Sequence, residues 1–518
     1  MGISLNRARR RLTFRQTVNE KAAQPETNER KIILLLCLLA AAHVFVFAAA
    51  LPFFNTVDEQ MHLDLVVNYS QCHIPRQITP PNAEALPFMT IYGTPEYLRT
   101  AAEQLTNPVP PPPWKRPMAE VREKLVAKSA AYRNRFQNYE AAQPPLYYTA
   151  AGVWWRLGKL LGLDGAPLLY WLRFLNLPLV AALVWLGWLA AKKVFPENFF
   201  IRLAVPAFIA FLPQPAFYAI NNDIFSPLAF GAAFVLLLVF WAAEIPSARQ
   251  AAATGLALAA AYLTKTSNIP LLAGAGIFIA LKIFQLARNG KLQPSASALW
   301  FLFVCAGLPV IGWMAWCKTN FGDLTGTATK IQLLNWTDKP FSEWFHHPIF
   351  TVSGFWFFLK ENLTTFWQGE LLWHRQPLAL PAVSLIYVLA TLALLALALT
   401  TLLKRPILSF NPQRVALWFA FAVLAAAFAF YGLLSIKYDF QDCFYPSREH
   451  PFFTSGRLLL GMLIPILLLL ATGLDLALKK LGGQARFAVL AALVLLILAN
   501  EIAMDWQLFL NEYNWFHL

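Results

Sequence analysis

Apolar stretches of roughly 18 or more residues recur along almost the whole chain, each long enough for a helix to cross a bilayer. The first runs from Ile32 to about Phe54, and others begin near Pro144, Leu168, Arg202, Ile224, Ala251, Ile269, Ala298, Leu378, Val415, Leu458 and Phe487. The pattern fails between residues 55 and 143, where a Pro108 to Pro113 cluster precedes a charged, helix-favouring stretch from Met118 to Arg135. That segment reads as an ordered loop lying on the membrane. Two further polar stretches occupy residues 318–377 and 437–457. The pattern predicts an all-α polytopic membrane protein with transmembrane segments over 32–54, 144–317 and 378–518.

Composition agrees. Of 518 residues, 58% are hydrophobic and 14% charged, against about 25% charged in soluble domains. Lys plus Arg number 42 against 28 Asp plus Glu, for a net charge of +14. In a membrane protein this excess is read as topology, and it implies no nucleic-acid partner. Residues 1–31 form a basic tail that stays in the cytoplasm. The first run is too long for a signal-peptide core, and no small-residue cleavage site follows it. Further basic residues recur at alternate connections: Lys192-Lys193, Arg249, Arg288 with Lys291, Lys404-Arg405 with Arg414, and Lys479-Lys480 with Arg486. All fall on one side if residues 144–163, which carry Arg156 and Lys159, do not fully cross. About eleven spans then result, or twelve if that segment crosses. The eleven-span arrangement puts the C-terminus outside a bacterial cytoplasmic (inner) membrane. Residues 55–143, the Asn221-Asn222-Asp223 turn, and residues 318–377 and 437–457 then share the extracytoplasmic face.

The sharpest polar feature is Asp58-Glu59-Gln60-Met61-His62, directly after the first span. In a helix Asp58 and His62 lie one turn apart on one face. Adjacent carboxylates at a low-dielectric boundary call for a partner. Ordinary interfacial polarity also explains the pair, and a metal site built on Asp58 and His62 is the sharper alternative. Gln143 precedes Pro144-Pro145, where proline suits a helix start. Asn222 and Asp223 fit a turn or cap. Lys265 interrupts a helical hairpin, and an intramembrane lysine is a functional candidate unless it snorkels to the interface. The outer loops carry Glu370, His374 and Arg375, with Trp356, Trp367 and Trp373 read as an interfacial belt. Arg457, at the entry to a span, suits an anionic lipid head group. Five cysteines without a CxxC pair give no metal or redox signature, and a Cys72–Cys443 disulfide is conceivable outside.

In this order the landmarks resemble the GT-C superfamily of polytopic glycosyltransferases, which use sugars carried on a polyprenyl phosphate. Within it the chain is most similar to an uncharacterised bacterial branch of predicted membrane proteins. The landmarks are D-E-x-x-H at Asp58, Glu59 and His62, Q-P-P-L-Y-Y at Gln143 to Tyr148, and N-D at Asn222-Asp223. L-T-K ends at Lys265, F-G-D spans Phe321 to Asp323, F-W-x-G spans Phe366 to Gly369, and G-R is Gly456-Arg457. Gln60 departs from the usual proline after the acidic pair, and Ser455-Gly456-Arg457-Leu458 from the usual Q-G-R-Y.

The resemblance implies an inverting transferase on the extracytoplasmic face, taking sugar from a polyprenyl-phosphate donor to a glycan, lipid or protein acceptor. It implies Asp58 as catalytic base with Glu59 and His62 beside it, and Lys265, Arg457 and Arg375 on the donor phosphate. Asp223, Asn222, Gln143 and Glu370 would support them. A divalent cation, if used, has Asp58, His62 and Asp223 as candidate ligands. Transport of lipid-linked saccharides is the second reading and a non-catalytic envelope scaffold the third, both weakened because the polar residues gather on one face and no internal repeat is seen.

Overall fold

Each of the twelve apolar runs lands on a helix. The computed structural model describes residues 28–94, 96–97, 99–404, 411–443 and 445–518, so most of the basic tail, with its Arg9-Arg10-Arg11 cluster, and Arg405 lie outside the described residues. Helix α1 is Asn28–Ala50. The first loop forms α2 (Glu59–Ser70), α3 (Ala85–Tyr92), α4 (Ala101–Thr106) and α5 (Met118–Arg135), the last matching the charged stretch. Then come α6 (Pro145–Leu160), α7 (Gly165–Arg173), α8 (Asn176–Val194), α9 (Phe199–Ala210), α10 (Phe225–Ala242), α11 (Ala248–Thr264), α12 (Ile269–Arg288) and α13 (Ala296–Phe321). The second loop forms α14 (Ala328–Leu333), α15 (Phe341–Trp344) and α16 (Val352–Gln368), before α17 (Pro381–Leu403), α18 (Pro412–Lys437), α19 (Leu463–Ala477) and α20 (Gly483–Leu510). Strand among the described residues is confined to two antiparallel pairs of two-residue strands. In these β1 (Thr337–Asp338) joins β4 (Tyr438–Asp439), and β2 (Leu372–Trp373) joins β3 (Gln376–Pro377).

Among the described residues, nine helices are long and apolar enough to cross a membrane, with α7 and α8 counted together and α19 extended back to Gly456. The 12-residue α9 and 17-residue α11 are shorter and pack alongside them. The 16-residue α6 begins with Pro145 at its first position, as expected, and packs against α2 and α7. Helix α19 is central, buried on almost every side between α9, α10, α17 and α18.

Polar contacts gather at the two ends of the bundle. At one end Glu29 pairs with Arg202 at 2.9 Å, Asn198 bonds Asp475 at 3.0 Å, and Lys291 pairs with Glu244. The basic connections around Lys192-Lys193, Arg249, Arg288, Arg414, Lys479-Lys480 and Arg486 lie at that end. The polar break points of the pattern, at Asp58, Asp223, Lys265 and Arg457, lie at the other.

Within residues 318–377, α13 extends to Phe321, and α16 packs against α17, because its apolar face repeats at helical spacing. Two expectations change. All five cysteines are free, Cys72 ending near Arg156 and Cys443 facing the Tyr445 carbonyl. Of the expected tryptophan belt, only Trp356 is exposed. Trp373 is buried, and Trp367 stacks on Tyr387 at 5.4 Å and donates to Thr391 Oγ1 at 2.8 Å.

Candidate functional site

The site is assembled by chain ends that share one end of the bundle. Asp58 sits just before α2 with φ 67°, a left-handed conformation that a non-glycine residue adopts at a cost of order 1–3 kcal/mol. This turn sends Asp58 and Glu59 in different directions. Asp58 Oδ2 accepts from Arg457 Nη2 at 2.9 Å, and Oδ1 accepts from the Tyr139 hydroxyl. Burial alone would raise the Asp58 pKa. Arg457, Lys330 and the two hydrogen bonds outweigh it and hold the carboxyl below the usual carboxylate range.

Arg457 is placed by the glycine before it. A Cβ on Gly456 would stand 2.0 Å from the Phe366 backbone nitrogen, so only glycine permits this approach to α16. The Gly456 N–H donates to Thr365 Oγ1 at 2.7 Å. The guanidinium then faces three carboxylates, with Asp223 Oδ2 at 3.7 Å and Glu370 Oε2 at 3.6 Å besides Asp58. Asp223 also pairs with Lys265, both buried. Its backbone N–H donates to Asn221 Oδ1 at 2.8 Å, the Asx turn expected of that sequence. Asp223 Oδ2 and Glu370 Oε1 are buried without a hydrogen bond. Burial raises the Glu370 pKa, against the opposing pull of Arg457. A small cavity lies here, lined by Thr56, Gln214, Asn221, Glu370, Leu371 and Arg457 among others.

Two participants were not singled out from the sequence. Glu140 is buried, accepts from Lys330 and from Gln143 Nε2, and Gln143 Oε1 in turn accepts from Asn222 Nδ2 at 3.2 Å. Burial raises the Glu140 pKa, but Lys330 prevails and the net shift is downward. Lys330 rides on α14, and the F-G-D landmark explains its position. Asp323 Oδ1 accepts from the Ala328 N–H at 2.9 Å and Oδ2 from the Thr325 N–H at 3.1 Å, folding the loop into α14. A lysine seven residues beyond a landmark carries no signal by itself.

Other expected participants are placed apart. Glu59 is fully buried against Arg173, whose Nε and Nη2 reach it at 2.8 and 2.9 Å, and it also accepts from the Phe54 and Ile220 N–H groups. His62 bonds Tyr148 at 2.7 Å, and burial lowers its pKa. Arg375 lies on the β2–β3 turn, 3.9 Å from Glu103, and not in the Arg457 cluster. The metal set of Asp58, His62 and Asp223 is not brought together. Asp58 and Asp223 both face Arg457 while His62 bonds Tyr148, and no three His, Cys, Asp or Glu side chains among the described residues are grouped to hold an ion.

Residues 42–442 match a protein-family model described as "Predicted membrane protein (DUF2142)". No curated protein matches the chain. Among solved structures it is similar to ArnT from Cupriavidus metallidurans bound to undecaprenyl phosphate, at 13% identity and TM-score 0.42, over 89% of this chain. It is also similar to oligosaccharyltransferase AglB from Archaeoglobus fulgidus, in complex with an inhibitory peptide and a dolichol-phosphate. That match has 12% identity and TM-score 0.40, over 93% of this chain. An Archaeoglobus fulgidus oligosaccharyltransferase complex with Zn and sulfate matches 71% of this chain at 15% identity and TM-score 0.35. The chain spans 63%, 56% and 44% of those three proteins respectively.

Proposed function

For this chain, which belongs to the DUF2142 family of predicted membrane proteins, we propose the function of an integral-membrane glycosyltransferase. It takes sugar from a polyprenyl-phosphate donor to an envelope glycan, lipid or protein acceptor. The observation that carries the reading is a single guanidinium, Arg457, facing Asp58, Asp223 and Glu370 beside a cavity at one end of the bundle. Arg457 and the adjacent Lys265 supply the cationic groups that a phosphate-bearing donor needs, and the carboxylates beside them include a candidate base. The basic connections at the opposite end favour an extracytoplasmic site.

In the reaction the acceptor hydroxyl attacks the anomeric carbon as the bond to the phosphate oxygen breaks, with inversion. Asp58 takes the hydroxyl proton, and Arg457 with Lys265 stabilises the charge left on the phosphate. At rest Asp58 is a weak base because Arg457 holds it. A donor phosphate competes for Arg457, which raises the basicity of Asp58 only when donor is bound. Glu59 and Arg375 have no part in this scheme, and no step needs a metal.

The test compares a null strain complemented with wild type or with Asp58→Asn at matched membrane abundance. Surface glycans and the polyprenyl-phosphate sugar pool are read by mass spectrometry. We expect one sugar to be missing from the glycan, and its lipid-linked donor to accumulate, in both null and mutant. Normal glycans with Asp58→Asn alongside altered ones in the null would move the weight to transport or scaffolding.

A further inference from the structure

The bundle interior holds a second group of titratable side chains that this scheme does not use. His43 of α1 places Nε2 2.6 Å from Glu501 Oε2 of α20, and Nδ1 3.1 Å from the Ala210 carbonyl. The Tyr218 hydroxyl donates to Glu501 Oε1. Asp505 lies one turn further along the same face of α20 and is 2% exposed. No hydrogen bond or ion pair among the described residues reaches its carboxyl.

Proton counting constrains this group. A carbonyl only accepts, so His43 Nδ1 carries a hydrogen, and the close Nε2 to Oε2 contact needs one more proton, on either partner. One imidazole balances at most one carboxylate. An unpartnered ionised carboxyl in an apolar interior is costly enough that Asp505 keeps its proton.

We propose that His43, Tyr218, Glu501 and Asp505 form a proton-binding site that positions the two segments bearing Asp223 and Glu370. Tyr218 belongs to the stretch that presents Gln214, Asn221 and Asp223. Met504, between the two acids, accepts from Gln368 Nε2 at 3.2 Å, two residues before Glu370. The same face of α20 therefore backs both segments. The positioning role rests on the reading of the Arg457 cluster as the reaction site, whereas the proton site does not.

Infrared spectra of the full chain in lipid nanodiscs test the proton directly. At neutral pH a protonated-carboxyl band is expected that shifts on ¹³C-aspartate labelling of the wild type, disappears in Asp505→Asn, and persists in Asp58→Asn. A wild-type spectrum with no label-sensitive band would overturn the proton site, and the labelling needs no variant to fold. Tyr218→Phe and Asp505→Asn should each lower transfer turnover roughly two- to thirtyfold and move the alkaline limb of its pH profile. Lower yield of folded protein with an unmoved limb would overturn the positioning role. Full transfer by Asp58→Asn with the band intact would instead remove the reaction scheme and leave the proton site standing.

Discussion

Asp58 and Glu59 are neighbours, and each meets an arginine, but the two pairs are built to opposite specifications. Arg173 is fully buried and places five hydrogen bonds, two to Glu59 and three to the carbonyls of Ala48, Leu51 and Pro52. A guanidinium has five N–H donors, so nothing is left over. Its plane also covers the Phe53 ring at 4.3 Å. Arg457 is 19% exposed, donates to Asp58 at 2.9 Å and over longer distances to Ser455 Oγ at 3.3 Å and the Val57 carbonyl at 3.5 Å, and stands 3.6 to 3.7 Å from two more carboxylates. One pair is complete and locks the loop to the bundle. The other has unfilled valence on both sides and therefore has room for a ligand.

The largest effect should come from breaking the complete pair. Arg173→Met leaves Glu59 buried and unpaired, and is expected to cost about 3–5 kcal/mol and most of the folded protein. Size-exclusion profiles and thermal unfolding in detergent would show it, and a monodisperse variant of wild-type stability would erase the contrast. Next is Arg457→Lys, which keeps the charge but loses the planar fork. Transfer should fall roughly 10²- to 10³-fold while thermal stability stays near wild type. A comparable loss of stability would mean that Arg457 is structural after all.

Gly456→Ala sharpens the comparison from the backbone. Its methyl would collide with α16, costing about 1–3 kcal/mol and displacing Arg457, so transfer should drop more than stability does. The smallest effect concerns pH. The raised pKa of Glu370 means the folded state keeps a proton that the unfolded chain has already released. Its contribution is complete below the unfolded value of about 4.5 and is lost as pH rises through the folded value. Unfolding temperature followed upward from pH 4 should fall less steeply in Glu370→Gln than in wild type. Parallel curves would show that Glu370 titrates normally.

The sequence was informative about these regions in different degrees. Asp58, Asp223, Lys265 and Arg457 stood out because polar residues beside apolar runs are conspicuous, and the structure brings all four together. Asp223 and Lys265 are also paired, which explains how a lysine is accommodated beside a bundle. Glu140 and Lys330 were missed because both sit in polar loops where a charge is ordinary. His43, Glu501 and Asp505 are isolated polar residues inside long apolar runs, and only packing α1 against α20 reveals them as a group. The separation of Asp58 from Glu59 depends on one left-handed backbone angle, which no local spacing predicts.

The sequence alone determined where the apolar helices lie, the charged helix at Met118–Arg135, and the proline start at Pro145, while the expected eleven or twelve spans compare with nine helices of spanning length among the described residues. These follow from hydrophobic periodicity, length and proline geometry, all of them local. Which arginine meets which carboxylate was decided only by tertiary structure. Arg173 reaches Glu59 across 114 residues and Arg457 reaches Asp58 across 399. Partners that far apart are selected by how helices pack and where their ends stop, and a side chain's chemistry then depends on how many of its hydrogen bonds that packing has already filled.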